Sequence, residues 1–348
     1  MFSRRSTSVL IAGAFLLTAA PLRAQTALPP VTLGAGVQTS FVHNMPDGGD
    51  STDSFLLNSA RLYVNGPVTD KIKFMFNTEF DGATNKIGVL DAVARFEMNP
   101  KFNVWAGRFI APSDRANLYG PYYSHEWAVY TDGIQDGYPF VATGRSNGVA
   151  YWGDFGKVKV SGGGFDGTST NGNPDIIGAA RVQVDLWDKE GGYYLNGTYY
   201  GAKDLLSIGA AVQAQSGNKA GNVDFLMEKK LAGGGVVTIE SEYANYDNFG
   251  GYDSHYANSD GAYVLGAYLF PKPAGIGKFE VLAKYAKANF TKGVSALDAD
   301  FDQKTTEVNL NYIIKEFNAR IMIFFKNTDF SAVKTDFKQV GVGLQIQM

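Results

Sequence analysis

The chain has 348 residues, of which 45% are hydrophobic and 19% charged, with 24 Phe, 19 Tyr, 41 Gly and no Cys. That apolar content excludes a disordered chain, and the missing cysteines exclude disulfides and thiolate metal sites. A formal charge of −3 argues against a nucleic-acid binder, which is normally basic.

At the N-terminus, Arg4 and Arg5 precede an apolar run from Val9 to Ala20 and small residues up to Ala24. This is the order of a secretory signal peptide, and the run is too short for a spanning helix. Cleavage after Ala24 is expected. It would remove residues 1–24, with three arginines and no acid, making the mature domain (25–348) more acidic still.

From there the chain alternates. In "KIKFMFNTEF" Ile72, Phe74, Phe76, Thr78 and Phe80 share one face, and Lys71, Lys73, Met75, Asn77 and Glu79 the other. In "VLDAVARFEM" Leu90, Ala92, Ala94, Phe96 and Met98 oppose Asp91, Arg95 and Glu97. The same period of two, the mark of a strand with one apolar and one wet face, recurs to the C-terminus. Seventeen segments fit it: 31–42, 54–65, 71–81, 88–98, 102–109, 146–152, 157–165, 176–186, 192–200, 205–215, 223–230, 235–246, 261–270, 278–290, 304–314, 319–329 and 338–347.

A soluble sandwich and a transmembrane barrel both produce such alternation. Strands of about ten residues match the 9–11 a tilted strand needs to cross a bilayer. Aromatics near strand ends (Trp105, Trp152, Trp187, Tyr199, Tyr200, Tyr268) read as interfacial girdles, and short turns alternate with long loops. The expected fold is therefore all-β: a transmembrane antiparallel β-barrel whose apolar face meets lipid. Bacterial barrels have even strand numbers, so one segment within 192–246 is miscounted; sixteen strands are expected, with eighteen as the fallback. The third outer loop, 110–145, is far longer than an ordinary connection and rich in Tyr, Pro and Gly. It is expected to fold into the lumen; a lid over the mouth or a subunit contact is the alternative.

The stretches "RLYVNGPVTDKIKFMFNTEFDG", "VLDAVARFEM" and "FNVWAGRFIAPSDR", with "VVTIESEYANY", "AYVLGAYLF" and "KFEVLAKY" further on, resemble the phosphate-selective porins O and P. In "AGRFIAP" Gly107, Phe109 and Pro112 fit that family's pattern, whereas Arg108 and Ile110 depart from it, as does the terminal Met348. The resemblance implies a homotrimer of sixteen-stranded channels, an inward third loop, and arginines and lysines that guide anions such as phosphate. It puts Arg108 and Arg115 where a constriction would start. Arg61, Lys73, Arg95, Arg181, Lys284, Arg320 and Lys326 would supply a basic track. Asp91, Glu97, Asp185, Glu240, Glu242, Glu280 and Glu307 share the same lumen-facing parity.

Catalysis is not expected. The three histidines, His43, His125 and His255, fall in expected outer loops, and "SHEW" (124–127) places Ser, His and Glu on adjacent residues that point apart. The carboxylate clusters Asp47, Asp50, Asp53 and Asp298, Asp300, Asp302 break the calcium-loop pattern and read as solvated loops or bridges to lipopolysaccharide. No cofactor is expected. Two functions remain: an outer-membrane diffusion porin, whose partners are outer-membrane lipid, lipopolysaccharide and small solutes or anions, or a structural barrel sheathing an export or electron-carrying partner.

Overall fold

The computed structural model describes residues 30–82, 85–127, 129, 131–134, 144–168, 174–248, 253, 255–295 and 298–348. The expected signal peptide lies outside them. Sixteen strands follow in chain order: β1 (Thr32–Pro46), β2 (Thr52–Pro67), β3 (Ile72–Asp81), β4 (Lys86–Asn99), β5 (Phe102–Ile110), β6 (Arg145–Asp154), β7 (Val158–Thr168) and β8 (Pro174–Asp185), then β9 (Leu205–Gln215), β10 (Asn218–Lys230), β11 (Val236–Asp247), β12 (Tyr256–Leu269), β13 (Lys278–Gly293), β14 (Phe301–Lys315), β15 (Ala319–Phe330) and β16 (Phe337–Gln347). Each pairs antiparallel with its neighbours in sequence, and β16 returns to β1, closing the barrel. Reciprocal backbone bonds between Ala35 and Met348, 3.1 and 2.9 Å, seal the seam at the last residue. Closure leaves no unpaired edge, a condition for crossing lipid.

Alternation fixes the two faces. In β13, Glu280, Lys284 and Ala288 are buried inward, while Phe279, Val281, Ala283 and Tyr285 are exposed outward. The outer surface is a belt of Val, Leu, Ile, Phe and Tyr, including Phe76 at 37% exposure. This belt is the lipid-facing surface. One departure comes from a bulge: Asn77 pairs with Asp91 but Thr78 with Val89, so Leu90 is the extra residue. Leu90 is therefore buried beside Asp91 rather than aligned with Ala92 on the outer face, as alternation alone implied.

The surplus seventeenth strand, 192–200, is not a strand. It belongs to the connection 186–204 between β8 and β9, where positive φ at Gly192 (90°), Tyr200 (51°) and Gly201 (79°) breaks extended pairing. After β9 the chain reverses through Ser216 and Gly217, both at positive φ, the geometry of a tight hairpin. That short turn stands on the rim where long loops were expected. The girdle needs correction too: Trp105, Trp152 and Tyr193 form ring contacts inside the barrel, and Tyr199 and Tyr200 lie in the same inward connection.

Phe76→Arg should impair assembly, because a lipid-facing Arg near the midplane costs about 2–4 kcal/mol. The heat-modifiable shift of the folded barrel on a denaturing gel measures this; assembly equal to the wild type would mean that Phe76 does not face lipid.

Candidate pore constriction

Two segments enter the lumen from opposite rims. From the rim opposite the chain ends come residues 111–127, 129 and 131–134 of the β5–β6 connection; from the rim carrying the chain ends comes the β8–β9 connection, 186–204. The first begins with a short helix, α1 (Arg115–Tyr119), capped by Asp114, whose side chain accepts from the Asn117 amide at 2.7 Å. Gly120, at φ 66°, ends it.

Charge ties the segments together. Arg115, 0% exposed, forms a bidentate pair with Glu190, its Nη1 donating to Oε1 at 2.9 Å, and it also donates to the Asn196 carbonyl at 3.0 Å. Backbone bonds run alongside, from Leu195 N to Leu118 O and from Gly197 N to Tyr123 O. Arg181 reaches inward from β8 to Asp224, at 2.8 Å from Oδ1, and to the Ser113 carbonyl. Burial works against the charge on Glu190, but the Arg115 guanidinium outweighs it and holds the carboxyl down at about 2.

The rest of 111–134 is anchored around the wall. Tyr119 and Tyr263 both donate to Glu240, at 2.9 and 2.7 Å. Arg320 donates to the Ser124 carbonyl at 2.6 Å, and Lys284 pairs with Glu126 and Asp132 at 3.0 and 2.7 Å. His125 lies 2.9 Å from Glu280, which also accepts from Asn311. The Trp127 ring stacks on Phe324. Gly36 and Gly343 leave the space that Tyr122 and Trp127 occupy, where a Cβ would collide with each ring. Ser124 bonds to the Pro121 and Glu126 carbonyls and His125 to Glu280, so the "SHEW" residues form no catalytic relay.

The expected lumen residues sort into three groups. Arg115, Arg181 and Lys284 are buried and ion-paired, and Arg320 is buried and donates to the Ser124 carbonyl and Gln345, so they brace the interior instead of offering a track; Lys326 is buried with its ammonium over the Phe337 ring. Of the acids, Glu240 and Glu280 join the same bracing. Asp185 accepts from Gln183, Ser207 and the Glu190 amide, Glu242 accepts from Asn222, and Glu307 faces Lys284 and Lys326 across the ladder. Arg108 takes the opposite side from Trp105 and Phe109, outward with Ala106, and its Nε donates to the Val89 carbonyl. It is thus displaced from the constriction that the resemblance implied.

Of the remaining residues, Arg61 and Asp91 border the open space, and Lys73, Arg95 and Glu97 cluster on the β3–β4 wall outside its lining. A cavity of about 360 Å³ runs between the β2–β4 wall and the two inward segments, with Arg61, Asp91, Arg145 and Tyr194 among its lining. The charges here come as neighbours of opposite sign. Arg145 Nε lies 3.2 Å from Asp91, Arg61 chelates Glu79 at 3.0 and 3.1 Å, and Lys73 lies 2.7 Å from Glu97, with Arg95 at 3.8 Å. Glu79, Arg145, Glu190 and Asp224 were not singled out from sequence. For Glu79 the alternation of "KIKFMFNTEF" already carried the signal.

No model of a known protein family matches this chain, nor does any curated protein sequence. Solved structures do resemble it. OmpF of Salmonella typhi in complex with daunomycin superposes with a TM-score of 0.62 at 12% identity, over 92% of this chain and 98% of its own. An anion-selective porin from Comamonas acidovorans gives 0.58 at 15%, over 92% and 100%. A trimer form of the outer-membrane protein OmpT from Vibrio cholerae gives 0.55 at 14%, over 91% and 99%. At such identities the likeness is one of fold: this barrel has the fold of outer-membrane porins.

Glu190→Gln should strand a buried guanidinium, costing about 3–5 kcal/mol locally. Faster protease cleavage within 111–134 is the expected readout. Arg115→Met with Glu190→Met should restore much of the protection.

For His125, burial disfavours the imidazolium, yet the adjacent Glu280 carboxylate prevails and raises its pKa above the usual value. The pair's contribution is thus full below about pH 6.5 and is lost as pH rises through the raised value. Amide exchange in the 122–127 segment should accelerate with pH beyond the intrinsic rate, and His125→Gln should remove that excess.

Proposed function

We propose that this protein is an outer-membrane porin through which small hydrophilic solutes diffuse along a narrow path. The observation that carries this reading is the cavity lined by Arg61, Asp91 and Arg145 between the β2–β4 wall and the inward segments, inside a barrel whose outer belt suits lipid. Nothing is chemically transformed; radius and local charge select what passes. A homotrimer embedded in lipid and lipopolysaccharide, exported by a cleaved segment 1–24, belongs to the same reading.

Anion preference, including for phosphate, is the finer part, and it rests on the resemblance to the phosphate-selective porins O and P. Its basic residues would be Arg61 at the cavity, with Lys73 and Arg95 on the adjoining wall. Each stands near a carboxylate, Glu79 or Glu97, so the field they present to a passing ion is largely cancelled. The preference should be weak. The sheath reading is disfavoured because the chain's own segments occupy the space a partner protein would need.

In a planar bilayer the purified protein should conduct ions in steps smaller than those of an unobstructed sixteen-stranded barrel. Under a potassium chloride gradient its reversal potential should stay near zero. Absence of conductance would overturn the porin reading, and a strongly cation-selective current would overturn the anion part.

A further inference from the structure

The cavity carries a chemistry more specific than that of a wet gap. Its guanidinium groups already face carboxylates: Arg61 with Glu79, Arg145 with Asp91. Asp91 is in turn saturated, accepting from Arg145, from the Tyr194 hydroxyl at 3.2 Å and from Asn77 Nδ2 at 2.8 Å. That last bond fixes the orientation of the Asn77 amide, since only its nitrogen can donate to a carboxylate. Asn77 is nine-tenths buried, and its Oδ1 has no hydrogen-bond partner; the Tyr63 hydroxyl, beside the Arg61 guanidinium, lines the same cavity. A buried acceptor without a donor is costly unless something arrives to satisfy it. Tyr63, Tyr123 and Tyr194 border the same space with aromatic rings.

These features narrow the visitor. An anion such as phosphate brings mostly acceptors and would meet the Asn77 oxygen and the carboxylates of Asp91 and Glu79, whose charge already matches that of the two guanidinium groups. A cation would meet Arg61 and Arg145. A neutral polyhydroxylated solute brings hydroxyl donors for Asn77 Oδ1, either partner for the Tyr63 hydroxyl, and C–H faces for the tyrosine rings. A cavity of about 360 Å³ lies at the small end of the range for ligand pockets. We infer that the cavity between β2–β4 and the inward segments is a binding subsite for a small neutral sugar, with Asn77 and Tyr63 as its hydrogen-bonding residues. The inference rests on the channel reading and gives it a solute class.

The test is solute block of the single-channel potassium chloride current, with glucose and inorganic phosphate as probes. Glucose should reduce the current saturably, beyond its effect on bulk conductivity, and phosphate should add no block at equal concentration. Tyr63→Phe, which keeps the ring and removes the hydroxyl, should weaken glucose block about 5-fold, the worth of one hydrogen bond. A conducting channel whose current follows bulk conductivity at every glucose concentration would overturn the subsite while leaving the porin. Phosphate blocking more strongly than glucose would overturn the neutral-solute assignment. A protein that does not conduct at all would remove the channel reading and this inference together.

Discussion

The constraint behind the whole molecule is that lipid offers no partner to a backbone amide. Every strand must therefore find its hydrogen bonds in another strand, and the last must find them in the first. The β1–β16 seam meets that demand along its register from Gly36 opposite Gln347 to Pro46 opposite Phe337. Once the ladder is closed, side chains have only two destinations, and period-two alternation sends Val, Leu and Phe to the lipid and Glu, Lys, Asn and Gln to the interior. The polar face then creates a second problem, because a cylinder of this size is too wide to be filled by wall side chains alone. The inward segments answer it.

Their packing shows how an interior can be dense and polar together. Aromatic rings occupy volume: Trp105 lies 4.9 Å from Tyr193, and Phe109 lies 5.2 Å from Phe165. Between such clusters, buried ions are held in pairs whose remaining hydrogen-bonding groups reach backbone carbonyls, as Arg115, paired with Glu190, reaches Asn196 and Arg181, paired with Asp224, reaches Ser113. Such pairs add little stability compared with an apolar filling of the same shape, but they penalise any arrangement that separates them. They define one position for the two segments.

What the sequence made legible follows from the range of the interactions involved. Alternation is local, so the wall and its faces could be read from "KIKFMFNTEF" or "KFEVLAKY", and the third loop stood out by its length and its Tyr, Pro and Gly content. The connection 186–204 could not, because "YYLNGTYY" has the aromatic density of a strand and only the backbone reversals at Tyr200 and Gly201 distinguish it. Leu90 was placed on the wrong face because one bulge shifts the parity of everything beyond it. The roles of the basic residues were the least accessible. Arg115 and Arg61 look equivalent in sequence; one is locked to Glu190 and the other borders the open cavity with its charge matched by Glu79. Partners tens of residues apart in the chain decide which.

The two segments that fill the lumen are supplied from opposite rims, and this sets an order on how the protein is made. Gln38 meets Gln345 across 307 residues, so the cylinder cannot close until the whole chain has emerged. The Arg115–Glu190 contact spans only 75 residues, but its place lies inside that cylinder. The wall therefore needs the last strand to be complete, whereas the contact between the inward segments depends on neither chain end.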